Sequence, residues 1–442
     1  MRFFLLALLL LSRSLIAAPT APTVPAAAQA SSHFDATAAT NAWLATVPLN
    51  FRSKSDSYFE GRCWLILWDF LCSAAAMLIL LESGASAWMR NIAQRLTAYL
   101  FLQSWVYWIE FCTAVVCLLF PLTVYEEFFR ERSYGLMNQS FGGWLRDEFV
   151  AFLIIALLLG GLAIVTLIEI VRRLPGTWPI WCTVAALAFI IFTSAIEPVF
   201  LAPLFNTYTP LKNSMLKQQV LSLAGANGLS AGDVYEVNAS TQSNRVSAFV
   251  SGFGATERVT LNDNLLNRVS PQGILAVVGH EIGHYVMHHI LNQIIYSVMV
   301  LTAMFLILRF VLQRGIQMLG PRWQVQDVSD LAAIPFAALI LLVMGFVFTP
   351  VDNSFTRMQE FEADLYGLNA ARQPDGEAEV DLLLGEYRKL DPTPLEEILF
   401  FDHPGGRTRI YTAMRWKAEN LCLFDPKLPC VQPSLTGTRP LQ

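Results

Sequence analysis

Residues 274–290 read ILAVVGHEIGHYVMHHI, a stretch without proline whose apolar residues recur at the spacing of a helix. His280 and His284 stand four positions apart, so both imidazoles face the same side of that helix. Two rings in this arrangement can bind one Zn²⁺ at about 2.0–2.1 Å from each nitrogen. Glu281 lies beside them and can accept a proton from a zinc-bound water. The stretch therefore predicts a helix that holds one zinc ion per chain and carries a general base.

A catalytic zinc site also needs a third protein ligand and one open position. The apolar run at residues 291–312 is long enough to cross a membrane, away from the side on which His280 and His284 lie. The run at 331–350 must then cross back to that side. If the second run continues as a helix, Glu360 emerges near the motif and becomes the third ligand. Asp364, one turn further, can accept the second ring N–H of a ligating histidine. Glu362 points to another side of the helix and is a weaker candidate.

The composition of the 442-residue chain is that of a membrane protein with some soluble mass attached. Hydrophobic residues make up 54% of it and charged residues 15%, whereas a soluble domain has about 45–50% and about 25%. The net charge of −5 argues against nucleic acid as a partner, because phosphate binding needs a basic face. The cysteines include no CxxC pair, so a thiolate metal site is not expected. Cys422 and Cys430 could form a disulfide only in an oxidising compartment.

Long apolar runs predict six membrane-spanning helices, because one span needs about 20 apolar residues. The runs lie at residues 63–82, 98–123, 149–171, 177–200, 291–312 and 331–350. Glu110 lies deep within the second run, where an unpaired charge is costly. Such a residue usually faces a water-filled interior, so it indicates a polar chamber among the helices.

The N-terminus has the features of a secretory signal peptide. Arg2 precedes a short apolar stretch, and the small residues Ala17 and Ala18 follow it. Residues 1–18 are therefore expected to be a signal peptide or, if retained, a first membrane helix. The rest is expected to divide into a linker, an N-terminal membrane region of four spans, a domain that carries the two histidines and the last two spans, and a C-terminal tail. The expected limits of these segments are 19–60, 61–200, 201–416 and 417–442.

The charges of the short loops bear on the orientation in the membrane. The loops at residues 83–97, 172–176 and 313–330 are basic and would be cytoplasmic by the positive-inside rule. This orientation places residues 201–289 and the C-terminal tail outside the cytoplasm, in agreement with the signal-like start. Arg130 and Arg146, at the opposite ends of the spans, reduce the charge bias, so the sidedness stays open.

The stretches HEIGHYVMHH and TRMQEFEAD together resemble the integral-membrane zinc metalloproteases typified by CAAX prenyl protease 1, and more distantly the heat-shock-induced membrane protease of bacteria. The likeness also covers IEPVFLAPLFNTYTPL and DHPGGRTRI and ends at about residue 416. It implies a mainly α fold, a polytopic helical membrane protein that encloses a chamber and carries a small α+β zincin-like catalytic domain. The family's glutamate ligand and following aspartate fall on Glu360 and Asp364. Its last motif histidine falls on His289, and neither His288 nor His289 is expected to bind metal.

Two further sites follow from the resemblance. His403 and Arg409 match the family's HP…R motif, which implies that they stabilise the oxyanion and hold substrate. The stretch RVSAFVSG at residues 245–252 resembles the family's edge strand, which pairs with extended substrate through its main chain. The substrate-binding residues implied are Ser247, Ala248 and Phe249. The first and third replace the family's asparagine and tyrosine, so only the main-chain pairing is carried over.

The resemblance implies a membrane-embedded zinc metalloendopeptidase of the CAAX-protease kind. Its partners would be the lipid bilayer and peptide or protein substrates, lipid-anchored or membrane-bound, and its location a bacterial inner membrane. Two alternatives remain from the sequence. One is a quality-control protease for membrane proteins without lipidated substrates. The other is a metal-binding membrane transporter or scaffold without enzymatic activity.

Overall fold

The structure, a computed structural model, describes residues 23–251 and 257–428. The first half of the chain is helical throughout. Its helices are α1 (Ala36–Ala45), α2 (Leu49–Glu82), α3 (Ala85–Leu96), α4 (Leu100–Ser133), α5 (Phe141–Arg173) and α6 (Trp178–Leu204). The last three each contain a π-helical stretch.

The second half combines a small sheet with further helices. The strands are β1 (Tyr208–Pro210), β2 (Val234–Val237), β3 (Ala248–Ser251) and β4 (Arg258–Asn262). They lie in the order β1-β2-β4-β3, with only β2 and β4 parallel, so β3 is at an edge. The helices are α7 (Ser214–Ala226), α8 (Asp263–Arg268), α9 (Pro271–Val286), α10 (His289–Trp323), α11 (Ile334–Ala371), α12 (Pro374–Leu384), α13 (Pro394–Phe400) and α14 (Gly406–Glu419).

Six helices of the described residues are long and apolar enough to cross a membrane, which confirms the predicted number of spans. They are α2, α4, α5, α6, α10 and α11. The mainly helical fold class with a small sheet is confirmed as well. Each of these helices has 27 to 38 residues, more than the about 20 that a bilayer core requires. Their polar ends therefore extend beyond the apolar runs and can carry residues of a site.

The hairpin of α10 and α11 brings the chain back to the side on which the motif lies. Near one end the Tyr296 hydroxyl donates to Asp352, and at the other end Trp323 packs against Phe336. The two helices are therefore antiparallel, as the apolar runs predicted. A buried ion pair of 2.7 Å between Arg90 and Asp330 ties α3 to the distal loop of this hairpin.

The prediction of a linker over residues 19–60 is wrong for its described part. Asp35 caps α1 by accepting a hydrogen bond of 2.6 Å from the Ala38 N–H. Trp43 is buried in one apolar cluster with Met414 of α14. Alanine is the best helix former and carries little periodic signal, so an alanine-rich helix resembles a linker in composition. Residues 24–47 form a strap across the catalytic region.

A cavity of about 510 Å³ lies among α2, α4 and α5 and fits the predicted polar chamber. Charged residues of both signs line it, including Glu126, Glu127, Glu148, Arg62 and Arg245. Residues 1–18 and Cys430 lie outside the described residues. The signal peptide and the Cys422–Cys430 disulfide therefore stay predictions.

Candidate metal centre

The helix α9 carries the HExxH motif and has a well-defined start. The Ser270 hydroxyl caps it by accepting a hydrogen bond of 3.1 Å from the Gly273 N–H, and Pro271 occupies its first position. The Glu379 carboxylate of α12 accepts hydrogen bonds from the backbone N–H and the hydroxyl of Ser270. The helix predicted over residues 274–290 is interrupted before its end. α9 ends at Val286, and α10 begins on a new axis after His288, whose φ is 57°.

Three side chains converge at the end of α9. Nε2 of His280 lies 3.1 Å from Nε2 of His284 and 3.1 Å from Oε2 of Glu360. Nε2 of His284 lies 3.5 Å from Oε1 of Glu360. Ligands at zinc distances in a tetrahedral site would be about 3.3 Å apart. The three side chains therefore fit one zinc ion.

The environment of Glu360 supports the same fit. Its Oε2 atom is buried and has no hydrogen-bond partner of suitable geometry among the described residues. A buried carboxylate oxygen without a donor is costly. A cation between this oxygen and the two imidazoles would remove that cost.

Small residues allow α9 and α11 to approach closely. A Cβ atom on Gly279 would lie 3.1 Å from the Gly367 carbonyl oxygen, and one on Gly283 would lie 3.1 Å from Cα of Ala363. A Cβ atom on Gly367 would lie 2.8 Å from the backbone nitrogen of His280. Any side chain at these positions would push the two helices apart. The glycines thus set the distance between the histidines and Glu360.

Asp364 and Arg409 lie behind His280. Nδ1 of His280 lies 2.7 Å from Oδ1 of Asp364. Arg409 donates to both oxygens of this carboxylate, from Nε at 2.9 Å and from Nη2 at 2.5 Å. Two acids of α12 also pair with the guanidinium, Glu377 at 3.1 Å and Asp381 at 3.2 Å. Burial opposes the charge of Arg409, but the Asp364 carboxylate, the strongest of its partners, raises its pKa well above the usual value.

Arg409 thus occupies a different place from the one the resemblance implied. It is only 8% exposed, and its donors are engaged by carboxylates. Glu377 and Asp381 were not predicted as part of the site. Alternating acids in a helix usually indicate a solvated face. Their role in the site becomes visible only once the buried guanidinium of Arg409 is known.

His403 lies on the other side of Glu360. Its Nε2 is 3.1 Å from Oε2 of Glu360, and its Nδ1 is 2.8 Å from Oδ1 of Asp402. Burial lowers the pKa of His403, although the hydrogen bond to Asp402 opposes this effect. The ring is therefore part of the same cluster as the three converging side chains.

Glu281 lies on α9 directly after His280. Burial raises the pKa of its carboxyl, while the neighbouring His280 and His284 act in the opposite direction. Among residues 23–251 and 257–428, none donates a hydrogen bond to this carboxyl. A carboxyl in this state can take up a proton and release it.

The open edge of β3 lies beside the centre, because α9 packs against this strand. The Asn262 N–H donates to the Ser247 carbonyl oxygen at 3.1 Å, which makes these two residues a hydrogen-bonded pair. In an antiparallel ladder the alternate residues then face outward, namely Ala248 and Val250. Of the predicted substrate residues, Ser247 precedes the strand and Phe249 bonds to β4. Only Ala248 presents its N–H and C=O at the free edge.

The chain resembles known membrane proteases in sequence. Residues 210–417 match the profile described as peptidase family M48. Residues 40–207 match the profile described as CAAX prenyl protease N-terminal, five membrane helices. An uncharacterised metalloprotease of Bacillus subtilis, YhfN, is 30% identical over 339 residues, which are 76% of this chain and 79% of that protein. CAAX prenyl protease 1 of Saccharomyces cerevisiae is 30% identical over 163 residues, 37% of this chain and 36% of that protein.

The fold is also similar to a solved one. The crystal structure of S. mikatae Ste24p superimposes with a TM-score of 0.71 and covers 83% of this chain and 90% of that chain. The sequence identity between the two is 21%. The similarity confirms the fold expected from the sequence.

Proposed function

The chain belongs to peptidase family M48 and is a metalloendopeptidase of the membrane, and from that premise we propose that its metal is zinc, held by His280, His284 and Glu360. The observation that carries this proposal is the convergence of three ligand atoms within 4.8 Å of one another from two different helices. Two imidazoles and one carboxylate with an open fourth position are a donor set that zinc peptidases use.

Few groups would carry out the hydrolysis of the peptide bond. When bound, zinc would supply a Lewis acid that polarises the scissile carbonyl and makes water more acidic. Glu281 accepts a proton from the attacking water and then donates it to the leaving amine.

His403 is proposed to stabilise the oxyanion. In the protonated ring, Nδ1–H donates to Asp402, and Nε2–H, 3.1 Å from Oε2 of Glu360, is the donor directed at the cluster where negative charge would develop. Arg409 acts one step further back, as a positioning residue that fixes Asp364 against His280. Asp364 in turn holds the ring tautomer that keeps Nε2 available for the metal.

Substrate is proposed to bind as an extended segment along β3. Ala248 and Val250 would exchange main-chain hydrogen bonds with it, which requires no particular side chain of the substrate. Peptides and proteins are the substrates of the family, and the edge strand suits flexible segments of either. Lipid anchors on the substrate would have to fit among the membrane helices.

The site is proposed to face away from the cytoplasm of a bacterial inner membrane. Arg90, Arg95, Arg172, Arg173, Arg314 and Arg322 all lie near the ends of spans that are remote from the metal centre. The basic ends of spans stay on the cytoplasmic side. Such an orientation favours the quality-control alternative over lipidated substrates. On intact cells, a cysteine introduced at Glu419 should react with an impermeant maleimide, and one introduced at Gln326 should not. The reverse pattern would contradict this orientation.

The decisive experiment on the activity uses Glu281→Gln. The variant should keep its zinc but lose peptidase activity by about 10²–10⁴-fold, because the proton acceptor is gone. Glu60→Gln, an exposed position on α2, is the matched control and should be fully active. Full peptidase activity of zinc-loaded Glu281→Gln would contradict the role of Glu281, whereas zinc-loaded wild type without peptidase activity would support a transporter or scaffold instead. Incubation with a prenylated peptide and with a misfolded membrane protein would separate the two substrate classes.

A further inference from the structure

His289, the first residue of α10, lies against the second histidine of the motif. Its Nδ1 is 3.0 Å from Nδ1 of His284, and the two rings meet edge to face with centroids 5.0 Å apart. The residue is only 3% exposed. On the far side of its ring, Nε2 lies 3.1 Å from Oε2 of Glu362 on α11. From the sequence, His289 was not expected to bind metal and Glu362 was only a weaker candidate for the third ligand.

The carboxylate of Glu362 determines which nitrogens of His289 and His284 donate and which accept. The Glu362 carboxylate is half-exposed and accepts hydrogen bonds, so Nε2 of His289 carries the hydrogen. The other nitrogen of that ring, Nδ1, is then an acceptor. His284 uses its Nε2 toward His280 and Glu360, which leaves its own Nδ1–H as the donor. The Glu362 carboxylate thus accepts from the neutral ring of His289, which in turn accepts from His284, the imidazole that faces the metal position.

We propose that His289, held by Glu362, is the positioning residue that fixes the orientation and tautomer of His284. The inference rests on the proposed metal site. A histidine that binds metal normally donates its other ring N–H to a fixed acceptor. Asp364 fills this position for His280, and His289 fills it for His284. His280 is thus held directly by a carboxylate, and His284 is held by a carboxylate through the ring of His289.

The break between α9 and α10 makes this contact possible. Residues five apart on one continuous helix are about 140° apart around its axis and do not face each other. His288 has a φ of 57°, which ends the first axis and starts the second. The next residue then turns back over His284. His288 itself is exposed and has no such contact among the described residues, so it offers a control one position away.

The inference is tested with His289→Phe, which fills the space without an acceptor, and His289→Asn, whose Oδ1 can take the place of Nδ1. His288→Asn is the control, because asparagine tolerates the left-handed conformation. The readouts are the affinity for Zn²⁺ alone, by competition with a chromophoric chelator, and the melting temperature of the metal-free protein. We expect His289→Phe to bind Zn²⁺ about 10–100-fold more weakly. His289→Asn should recover most of the affinity, and His288→Asn should match wild type.

The outcomes separate this inference from the proposed function. Equal Zn²⁺ affinity in wild type and His289→Phe would overturn the positioning role alone. Equal loss in His289→Phe and His289→Asn, together with a lower melting temperature of both metal-free variants, would show that His289 only fills space and would also overturn it. A wild-type protein that binds no Zn²⁺ would overturn both proposals.

Discussion

Arg409 donates two parallel hydrogen bonds to the carboxylate of Asp364, from Nε at 2.9 Å and from Nη2 at 2.5 Å. The same carboxylate lies 2.7 Å from the ring of His280. The guanidinium therefore acts on the metal centre through one intermediate side chain. Its planar fork, and not its charge alone, fixes the carboxylate.

Arg409→Lys should therefore impair the centre while keeping the buried charge. The ammonium group cannot reproduce two parallel donors, so Asp364 and with it His280 gain freedom. We expect Zn²⁺ affinity to fall by about 10-fold or more, measured by chelator competition. Arg415→Lys, on the exposed face of the same helix, is the control and should behave as wild type. Unchanged affinity in Arg409→Lys would contradict the positioning role.

The acids around Arg409 predict a dependence of stability on pH. Burial raises the pKa of Asp381 well above the usual value, although Arg409 acts in the opposite direction. A raised pKa in the folded state gives stability that is present at low pH and is lost as the pH rises through that pKa. Asp381→Asn mimics the protonated form and should flatten this loss. Its melting temperature should exceed that of wild type at pH 8, by about 2–4 °C for each kcal/mol gained.

The measurement is thermal unfolding of zinc-loaded protein in detergent at pH 5 and pH 8. Asp391→Asn, an exposed position, should follow wild type at both values. If Asp381→Asn is less stable than wild type at pH 8, Asp381 is ionised in the folded protein and the assigned direction is wrong.

The open edge of β3 predicts a contrast between two adjacent proline substitutions. Ala248→Pro removes an N–H that faces outward, a change that edge strands tolerate. Phe249→Pro removes an N–H that bonds to β4. We expect Ala248→Pro to lower kcat/KM by about 3–10-fold, as the loss of one hydrogen bond would, with little change in melting temperature. Phe249→Pro should lower the melting temperature clearly; equal effects of both on stability would contradict the register.

The strap over the catalytic region should contribute to stability. Trp43 is 1% exposed and packs with α14 residues. Trp43→Ala should cost about 3–5 kcal/mol, as large-to-small substitutions of buried aromatic residues do. Leu49→Ala, at a side chain that is 83% exposed, should be close to neutral. Thermal unfolding of the two variants measures the difference, and similar melting temperatures would show that the strap is dispensable.

The part of the centre that was predictable follows from regular helix geometry and from the membrane crossings. The spacing of His280 and His284 fixes both rings on one face, and the return of a membrane hairpin indicated Glu360 as their partner. Both steps use only the helix repeat and the need to cross a bilayer twice. The membrane spans were predictable for the same reason, since apolar length alone determines them.

The features that escaped prediction depend on contacts between distant segments. The left-handed residue His288 gives no signal in the sequence, so the contact of His289 with His284 could not be foreseen. Arg409 was assigned to substrate because its three acidic partners lie on two other helices. Likewise, alanines of the strap do not show what they pack against. In each case the deciding interaction is tertiary.

The antiparallel hairpin of α10 and α11 has a consequence for how the enzyme is made. The imidazoles are synthesised before the carboxylate that completes their ligand set, and the intervening chain must enter the bilayer and come back. A ribosome-bound or unintegrated chain therefore holds an incomplete centre. Under the proposed metal site, the three ligands would come together only after this hairpin has crossed the bilayer in both directions.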